Sequence, residues 1–307
     1  MEQFAVSYSP FARSSNDINK MFTFASLALM LPAVFGCMFF GFNSAFVILV
    51  SVIMCFVSEA FFNLLSLGKF KVTDFSFLVT GLVLSLTMPA KMPLFIVALS
   101  AFVSIFIVKM LFGGLGRNKF NPALVGRLFA GILSSYLATD LYQITLNGEV
   151  YVSLAEGGEN LLYNLFTGNA VGGIGTTCVI AILIAYVFLV YMSVIDWKIP
   201  LLSAIAYFVT AFLVCGMEKA ILNICSGSFL FVSVFMITDP NTSPDSFLGK
   251  TAYSVLFGML SAVLWNMGSL GEDTIFVAAI LVNVLVPFMN KYLVIKQKPL
   301  GGYRYAH

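Results

Sequence analysis

Charged residues are scarce in this 307-residue sequence. Only 10% of the residues are Asp, Glu, Lys or Arg, and 60% are hydrophobic. Soluble domains average about 25% charged and about 45–50% apolar residues. The 16 basic and 14 acidic side chains are too few to cover the surface of a soluble protein of this size. The composition therefore excludes the soluble globular class and indicates a polytopic protein in a lipid bilayer.

Several chemistry-bearing motifs are also missing. The one histidine is His307, at the last position, which excludes histidine acid–base chemistry and histidine-ligated metal sites within the membrane. No Gly-rich phosphate loop follows a strand, so a soluble nucleotide-binding fold is excluded. We expect no metal, no nucleic acid and no catalytic side chain. The five cysteines form no CxxC pair, and we interpret them as small apolar packing residues.

Apolar runs predict an all-α membrane protein of ten spans. No short apolar core with a cleavage site precedes the first run, so we expect no cleaved signal peptide. The runs 75–89 and 123–138 are short, which is typical of broken helices around a buried site. The ten predicted spans are 21–41, 44–66, 75–89, 94–112, 123–138, 176–195, 199–215, 220–238, 251–267 and 274–290.

The placement of basic residues orients these spans. With the N-terminus inside, the inner segments hold 14 of the 16 basic residues, as the positive-inside rule requires of cytoplasmic segments. The long outer loop contains acidic residues and no basic one. Both termini are therefore predicted to be cytoplasmic. The inner basic residues are Arg13, Lys20, Lys69, Lys71, Lys109, Arg117, Lys119, Arg127, Lys198, Lys250, Lys291, Lys296, Lys298 and Arg304.

Two short patterns occur twice, five spans apart. Thr87-Met88-Pro89 with Pro93 matches Thr238-Asp239-Pro240 with Pro244, and Gly113-Gly114-Leu115-Gly116 matches Gly268-Ser269-Leu270-Gly271. Because five is odd, matching elements face opposite sides, which predicts an inverted repeat with its site near the midplane. Chance is the alternative, since Gly and Pro are common in membrane loops. The predicted parts are an N-terminal segment 1–20, a five-helix repeat 21–138, an acidic loop 139–171, a second five-helix repeat 172–290 and a basic tail 291–307.

Glu59 is the only acidic residue well inside an apolar run. A carboxylate within a membrane is costly and needs a polar partner or cavity. Two interpretations stay open: Glu59 belongs to an ion or proton pathway, or it is a protonated or paired carboxyl near the inner interface.

Two further segments could bind an anion. In the polar segment 113–127, which contains Asn118 and Arg127, Asn121 suits the N-cap and Pro122 the first turn of a helix. A capped, positive inner loop is the alternative. In the segment 168–178, glycines would let the backbone approach a ligand, and Thr176 and Thr177 are predicted in the first turn of the sixth span. A phosphate there would meet free N–H groups; the alternative is a flexible loop with a threonine cap.

The chain resembles the family that contains the RnfD subunit of the Rnf complex and the NqrB subunit of the sodium-pumping NADH:quinone oxidoreductase. The near-literal stretch at 112–127 makes the resemblance specific, and the chain length favours the Rnf member. The residues that carry the resemblance are Ser9-Pro10-Phe11-Ala12-Arg13, Asp74 and Ser76, and the stretches 80–89, 112–127 and 238–244.

This resemblance implies FMN joined through its phosphate to Thr177. The family's Gly-Ser-[Leu/Ile]-Gly-Glu-Thr-Ser motif aligns with residues 172–178, from which Gly173, Thr176 and Cys178 depart. Thr176 is the alternative acceptor. Gly173, Gly175 and Thr176 are expected around the flavin. The residues expected to line the inner side of the repeat interface are Asn118, Asn121, Arg127, Thr238 and Asp239.

The resemblance also implies a role in a bacterial plasma membrane complex. The chain would be an electron-transfer subunit of a translocase that couples electron transfer between ferredoxin and NAD to sodium or proton export, with the flavin motif on the outer side. Expected partners are the other Rnf subunits, including the second covalent-FMN subunit, and a flavin transferase; ferredoxin and NAD would bind other subunits. The family further suggests an unattached riboflavin. The alternatives are the NqrB subunit of the quinone reductase and a urea-channel-like transporter without a cofactor.

Overall fold

The computed structural model describes residues 15–68, 72, 74–118, 120–137, 161–168, 170, 172–267 and 273–293; within them all regular structure is helical and no strand occurs. The first five helices are α1 (Ser15–Phe40), α2 (Phe42–Leu67), α3 (Ser76–Leu86), α4 (Leu94–Phe102), which continues as the π-helical segment Val103–Met110, and α5 (Pro122–Tyr136). The others are α6 (Leu161–Thr167), α7 (Val179–Tyr191), α8 (Lys198–Cys215), α9 (Met217–Ile224), α10 (Ser228–Phe231), which continues as the π-helical segment Val232–Met236, α11 (Phe247–Met267) and α12 (Asp273–Tyr292).

Helix length separates two groups. By length and composition, α1, α2, α8, α11 and α12 can cross a membrane, and α9 with α10 adds a sixth span if that pair, bent by 52°, is one broken span. Helix α3 has 11 residues and rises about 16 Å, roughly half of a bilayer core of about 30 Å. Helix α5 has 15 residues, so both segments predicted to be short are short.

Two sequence predictions need correction. The predicted acidic loop 139–171 contains a helix, α6, at Leu161–Thr167. The sixth predicted span, 176–195, is a shorter helix of 13 residues that begins at Val179. The N-terminal motif 9–13, the repeated motif 268–271 and the basic tail from residue 294 lie outside the described residues.

Glycines let the helices pack closely. A Cβ at Gly258 of α11 would lie 2.8 Å from the backbone nitrogen of Tyr207 in α8, and one at Gly81 of α3 would lie 2.9 Å from the Cα of Val52 in α2. Large apolar side chains remain on the outside, such as Phe42 at 87% and Leu213 at 76% exposure. An apolar exterior around close-packed helices is the arrangement expected in lipid.

Candidate functional site

The N-terminus of α5 forms as predicted. The Asn121 side chain caps the helix by accepting hydrogen bonds from the backbone nitrogens of Ala123 at 3.0 Å and Leu124 at 3.4 Å, and Pro122 follows as the first helical residue. The Asn121 amide nitrogen donates to the Met236 carbonyl at 3.0 Å and lies 3.5 Å from the Asp239 carboxylate. The cap therefore joins α5 to the loop that follows α10.

The segments around Asn118 and Thr238 are neighbours, as predicted for the two loops. Asn118 is buried, and its Oδ1 has no hydrogen-bond partner among the described residues. The Thr238 hydroxyl donates to the Val234 carbonyl, and Asp239 Oδ1 accepts from the backbone of Asn241 at 3.1 Å. Burial raises the pKa of Asp239 to about 6, against the hydrogen bonds from Asn241 and Thr242 that lower it.

The threonine turn, residues 173–177, lies just before α7. The Thr176 backbone nitrogen donates to the Gly173 carbonyl at 3.1 Å. The Thr176 hydroxyl accepts from the Gly173 nitrogen at 3.0 Å and lies 3.2 Å from the Gly173 carbonyl oxygen, to which it donates. Helix α7 starts only at Val179. The prediction that Thr176 and Thr177 belong to the first helical turn is therefore wrong, because Thr176 closes a separate turn.

The glycines of the threonine turn contact α3. The backbone nitrogen of Gly175 donates to the Leu86 carbonyl at 2.7 Å, and that of Ile174 to the Met88 carbonyl at 2.9 Å. A Cβ at Gly173 would lie 2.8 Å from the Thr87 carbonyl oxygen. The chain itself thus occupies the space that the sequence interpretation gave to a ligand.

The two threonines differ in their hydrogen bonding. Thr176 is 1% and Thr177 2% exposed. The Thr176 hydroxyl is fully used within the turn, whereas the Thr177 Oγ1 is buried and finds no hydrogen-bond partner in the described part of the chain. Buried polar atoms are nearly always bonded, so an exception calls for an explanation.

The break between α9 and α10 covers the other side of the turn. Gly227 has a positive φ of 83°, and a Cβ there would overlap the Thr176 carbonyl oxygen. The threonine turn is therefore held between the end of α3 and this break.

Arg127 lies beside the same end of α3. Its side chain is fully buried; Nε donates to the Thr87 carbonyl at 2.9 Å, and Nη2 lies 2.7 Å from Asp273 Oδ1. The guanidinium also lies 4.9 Å from the centre of the Phe276 ring. The sequence interpretation placed Arg127 with Asn118 and Asn121 at the inner side. The structure instead places it inside the helix packing, so it carries no weight in the count of inner loop charges.

Glu59 belongs to a different group, the Glu59 cluster, which consists of Glu59, Asp74, Ser76 and Lys109. Lys109 Nζ lies 2.7 Å from Glu59 and 3.6 Å from Asp74, and it donates to the Ser76 hydroxyl. The Glu59 and Lys109 side chains are 1% and 4% exposed. Of the two interpretations, the structure realises the paired carboxyl; a role in ion transport stays a prediction.

Sequence reasoning did not identify Asp273, Thr87 and Lys109 as partners. Thr87 stood in the repeated Thr-x-Pro pattern, which was the available signal. Lys109 was counted only as an inner basic residue, although a lysine facing a membrane glutamate on another span is a usable signal.

The sequence matches one known family over most of its length. The model of the NQR2, RnfD, RnfE family matches residues 5–299. The chain belongs to this family. The RnfD subunit of the proton-translocating ferredoxin:NAD(+) oxidoreductase complex of Clostridium ljungdahlii is 29% identical, over 94% of each chain. The RnfD subunit of the Na(+)-translocating complex of Acetobacterium woodii is also 29% identical, over 94% of this chain and 92% of its own.

A relative from the quinone-reductase branch of the NQR2, RnfD, RnfE family matches less of its own length. The NqrB subunit of the Na(+)-translocating NADH-quinone reductase of Pseudoalteromonas atlantica is 29% identical over 78% of this chain and 64% of its own. The recognised family is thus confirmed, and the two RnfD relatives are covered almost end to end.

Proposed function

We propose that this chain is a membrane electron-transfer subunit of an ion-translocating ferredoxin:NAD oxidoreductase complex, and that it carries FMN esterified through its phosphate to Thr177. Near-complete coverage of two RnfD relatives supports the complex. The other subunits of such a complex, including a second covalent-FMN subunit, are the proposed partners, and ferredoxin and NAD bind there. The proposed location is the bacterial plasma membrane.

The observation that carries the flavin assignment is the Thr177 hydroxyl. A buried hydroxyl without a partner costs about 1–3 kcal/mol, and Thr177 Oγ1 is in this state among the described residues. Esterification removes the unsatisfied O–H donor. Thr176 offers no such gain, because its hydroxyl already donates to and accepts from Gly173. The geometry therefore favours Thr177 over Thr176 as the acceptor.

The surroundings of Thr177 suit a phosphate in charge. Helix α7 begins two residues later, at Val179, and the N-terminus of a helix attracts anions through its N–H groups and dipole. The isoalloxazine ring of bound FMN supplies the redox chemistry. The protein side holds the acceptor: Gly173, Gly175 and Thr176 fix the turn against α3.

Thr177 is only 2% exposed, which bears on maturation. A flavin transferase must reach the Thr177 hydroxyl, so we infer that attachment takes place while the threonine turn is open. Flavin added to the folded protein without the transferase is then expected to leave Thr177 unmodified.

We further propose the ten-span inverted repeat with both termini in the cytoplasm and the threonine turn on the outer side. The packing supports it: α1 contacts α7 and α5 contacts α12, which pairs the first and the fifth elements of the two halves. Likewise α2 packs on α4 as α8 packs on α11. A two-fold axis in the membrane plane relates equivalent helices in this manner.

In-gel flavin fluorescence tests the assignment. The chain is expressed in membranes together with a flavin transferase and run on a denaturing gel. Wild type is expected to fluoresce at 33.5 kDa, and Thr177→Val, which keeps the side-chain shape but lacks the hydroxyl, is expected to lose the signal. Thr176→Ser keeps the turn-closing hydroxyl and is the matched control that should retain it.

Two outcomes would contradict this proposal. A dark wild-type band at normal expression would remove the covalent flavin and favour the urea-channel-like alternative. Fluorescence that survives Thr177→Val but disappears in Thr176→Val would move the acceptor to Thr176. Copurification of cluster-bearing ferredoxin-type subunits separates the proposed complex from the quinone reductase.

A further inference from the structure

A buried arginine lies between the two halves of the chain, one helix away from the threonine turn. Arg127 is in α5, its side chain is 0% exposed, and its ionic partner Asp273 is the first residue of α12. Salt bridging alone would not require a third partner. Yet Arg127 Nε also donates to the backbone carbonyl of Thr87 at 2.9 Å, at the end of α3.

That carbonyl is one of three consecutive acceptors. The carbonyls of Leu86 and Met88 accept hydrogen bonds from the threonine turn, at 2.7 and 2.9 Å. The Thr87 carbonyl between them accepts from Arg127. The last carbonyls of a helix have no partner within it, and a cation near them is favoured by the helix dipole. Arg127 thus fixes the peptide between the two anchors of the turn.

We propose that Arg127 is a positioning residue for the Thr177 site, acting through the Thr87 carbonyl to hold the end of α3 on which the threonine turn closes. Asp273 and Phe276 hold the guanidinium in place from α12, so the turn that precedes α7 is stabilised by a contact between α5 and α12. This inference rests on the proposed function for its consequence, the closure of the flavin-bearing turn, but its geometry is independent of any flavin.

Cysteine labelling measures the opening of the turn directly. Cys178 follows the turn and is 3% exposed, and Cys55 in α2 is 0% exposed. The full-length protein, expressed without the transferase, is labelled with a maleimide, and the modified cysteines are identified by peptide mass. Losing a hydrogen bond from a charged donor should raise the open population of the turn, and with it the Cys178 labelling rate, by about tenfold or more in Arg127→Gln.

Two comparisons separate positioning from general unfolding. Unfolding would expose Cys55 together with Cys178, whereas an opened turn exposes Cys178 alone. Arg127→Lys keeps the charge but lacks the planar fork that serves Thr87 and Asp273 at once, so its Cys178 rate should fall between those of wild type and Arg127→Gln. Asp273→Asn should resemble the lysine variant.

The same variants are then expressed with the transferase. If the wild type fluoresces and Arg127→Gln labels Cys178 at the wild-type rate, the inference is overturned while the proposed function stands. Equal acceleration at Cys178 and Cys55 also overturns it. If the wild type lacks flavin but Cys178 alone becomes reactive in Arg127→Gln, the positioning role stands and the flavin assignment fails.

Discussion

The buried ion pair of Glu59 and Lys109 gives the sharpest stability prediction. Their charged atoms lie 2.7 Å apart, and the side chains are 1% and 4% exposed. Removing one partner of such a pair leaves a buried charge and costs about 3–5 kcal/mol. Lys109→Met keeps the apolar stem and removes only the ammonium group. We therefore expect it to lower the free energy of unfolding by about 3–5 kcal/mol.

A second ion pair in the same protein provides the control. Asp196 and Lys250 lie 3.2 Å apart, with side chains 29% and 30% exposed, and pairs in contact with solvent contribute about 0–1 kcal/mol. Asp196→Asn should thus cost little. Unfolding is followed by denaturant titration in detergent micelles. The double variant Glu59→Gln with Lys109→Met should lose less than Lys109→Met alone, because neither member of the pair is then charged.

The reasoning would be refuted by equal losses in Lys109→Met and Asp196→Asn. It would also be refuted if the double variant lost the sum of its two single effects, since additivity means that the two groups do not interact.

Three further predictions concern coupling, pH and backbone geometry. Glu59→Gln should lower cation transport in vesicles more than electron transfer; equal losses, or none, would leave Glu59 a structural pair member. Because the pKa of Asp239 is raised to about 6, the carboxylate destabilises the fold above that pH, so Asp239→Asn should gain stability over wild type between about pH 4 and 6; a pH-independent difference argues against this. Gly227→Ala should lower the melting temperature more than Gly216→Ala, because both have positive φ but only Gly227 faces a carbonyl oxygen; equal losses would mean that strain alone acts.

Features that depend on adjacent residues were predictable. Asn121 and Pro122 set the start of α5, because an N-cap and a first-turn proline act on their own backbone. The short helices α3 and α5 followed from the lengths of their apolar runs. The start of α7 was misplaced, because the Thr176 hydroxyl closes a turn with Gly173 where the apolar pattern alone would have continued the helix.

The sequence by itself determined the membrane class, the family and the threonine motif, because composition, apolar run lengths and motifs are properties of neighbouring residues. Only the tertiary structure decided the partners of the buried charges. Glu59 meets Lys109 fifty positions along the chain, and Arg127 meets Thr87 and Asp273 from other helices. A charge inside a membrane protein must find an opposite charge or a carbonyl, but helix packing chooses which one. That choice also left the Thr177 hydroxyl, and not that of Thr176, without a hydrogen bond among the described residues.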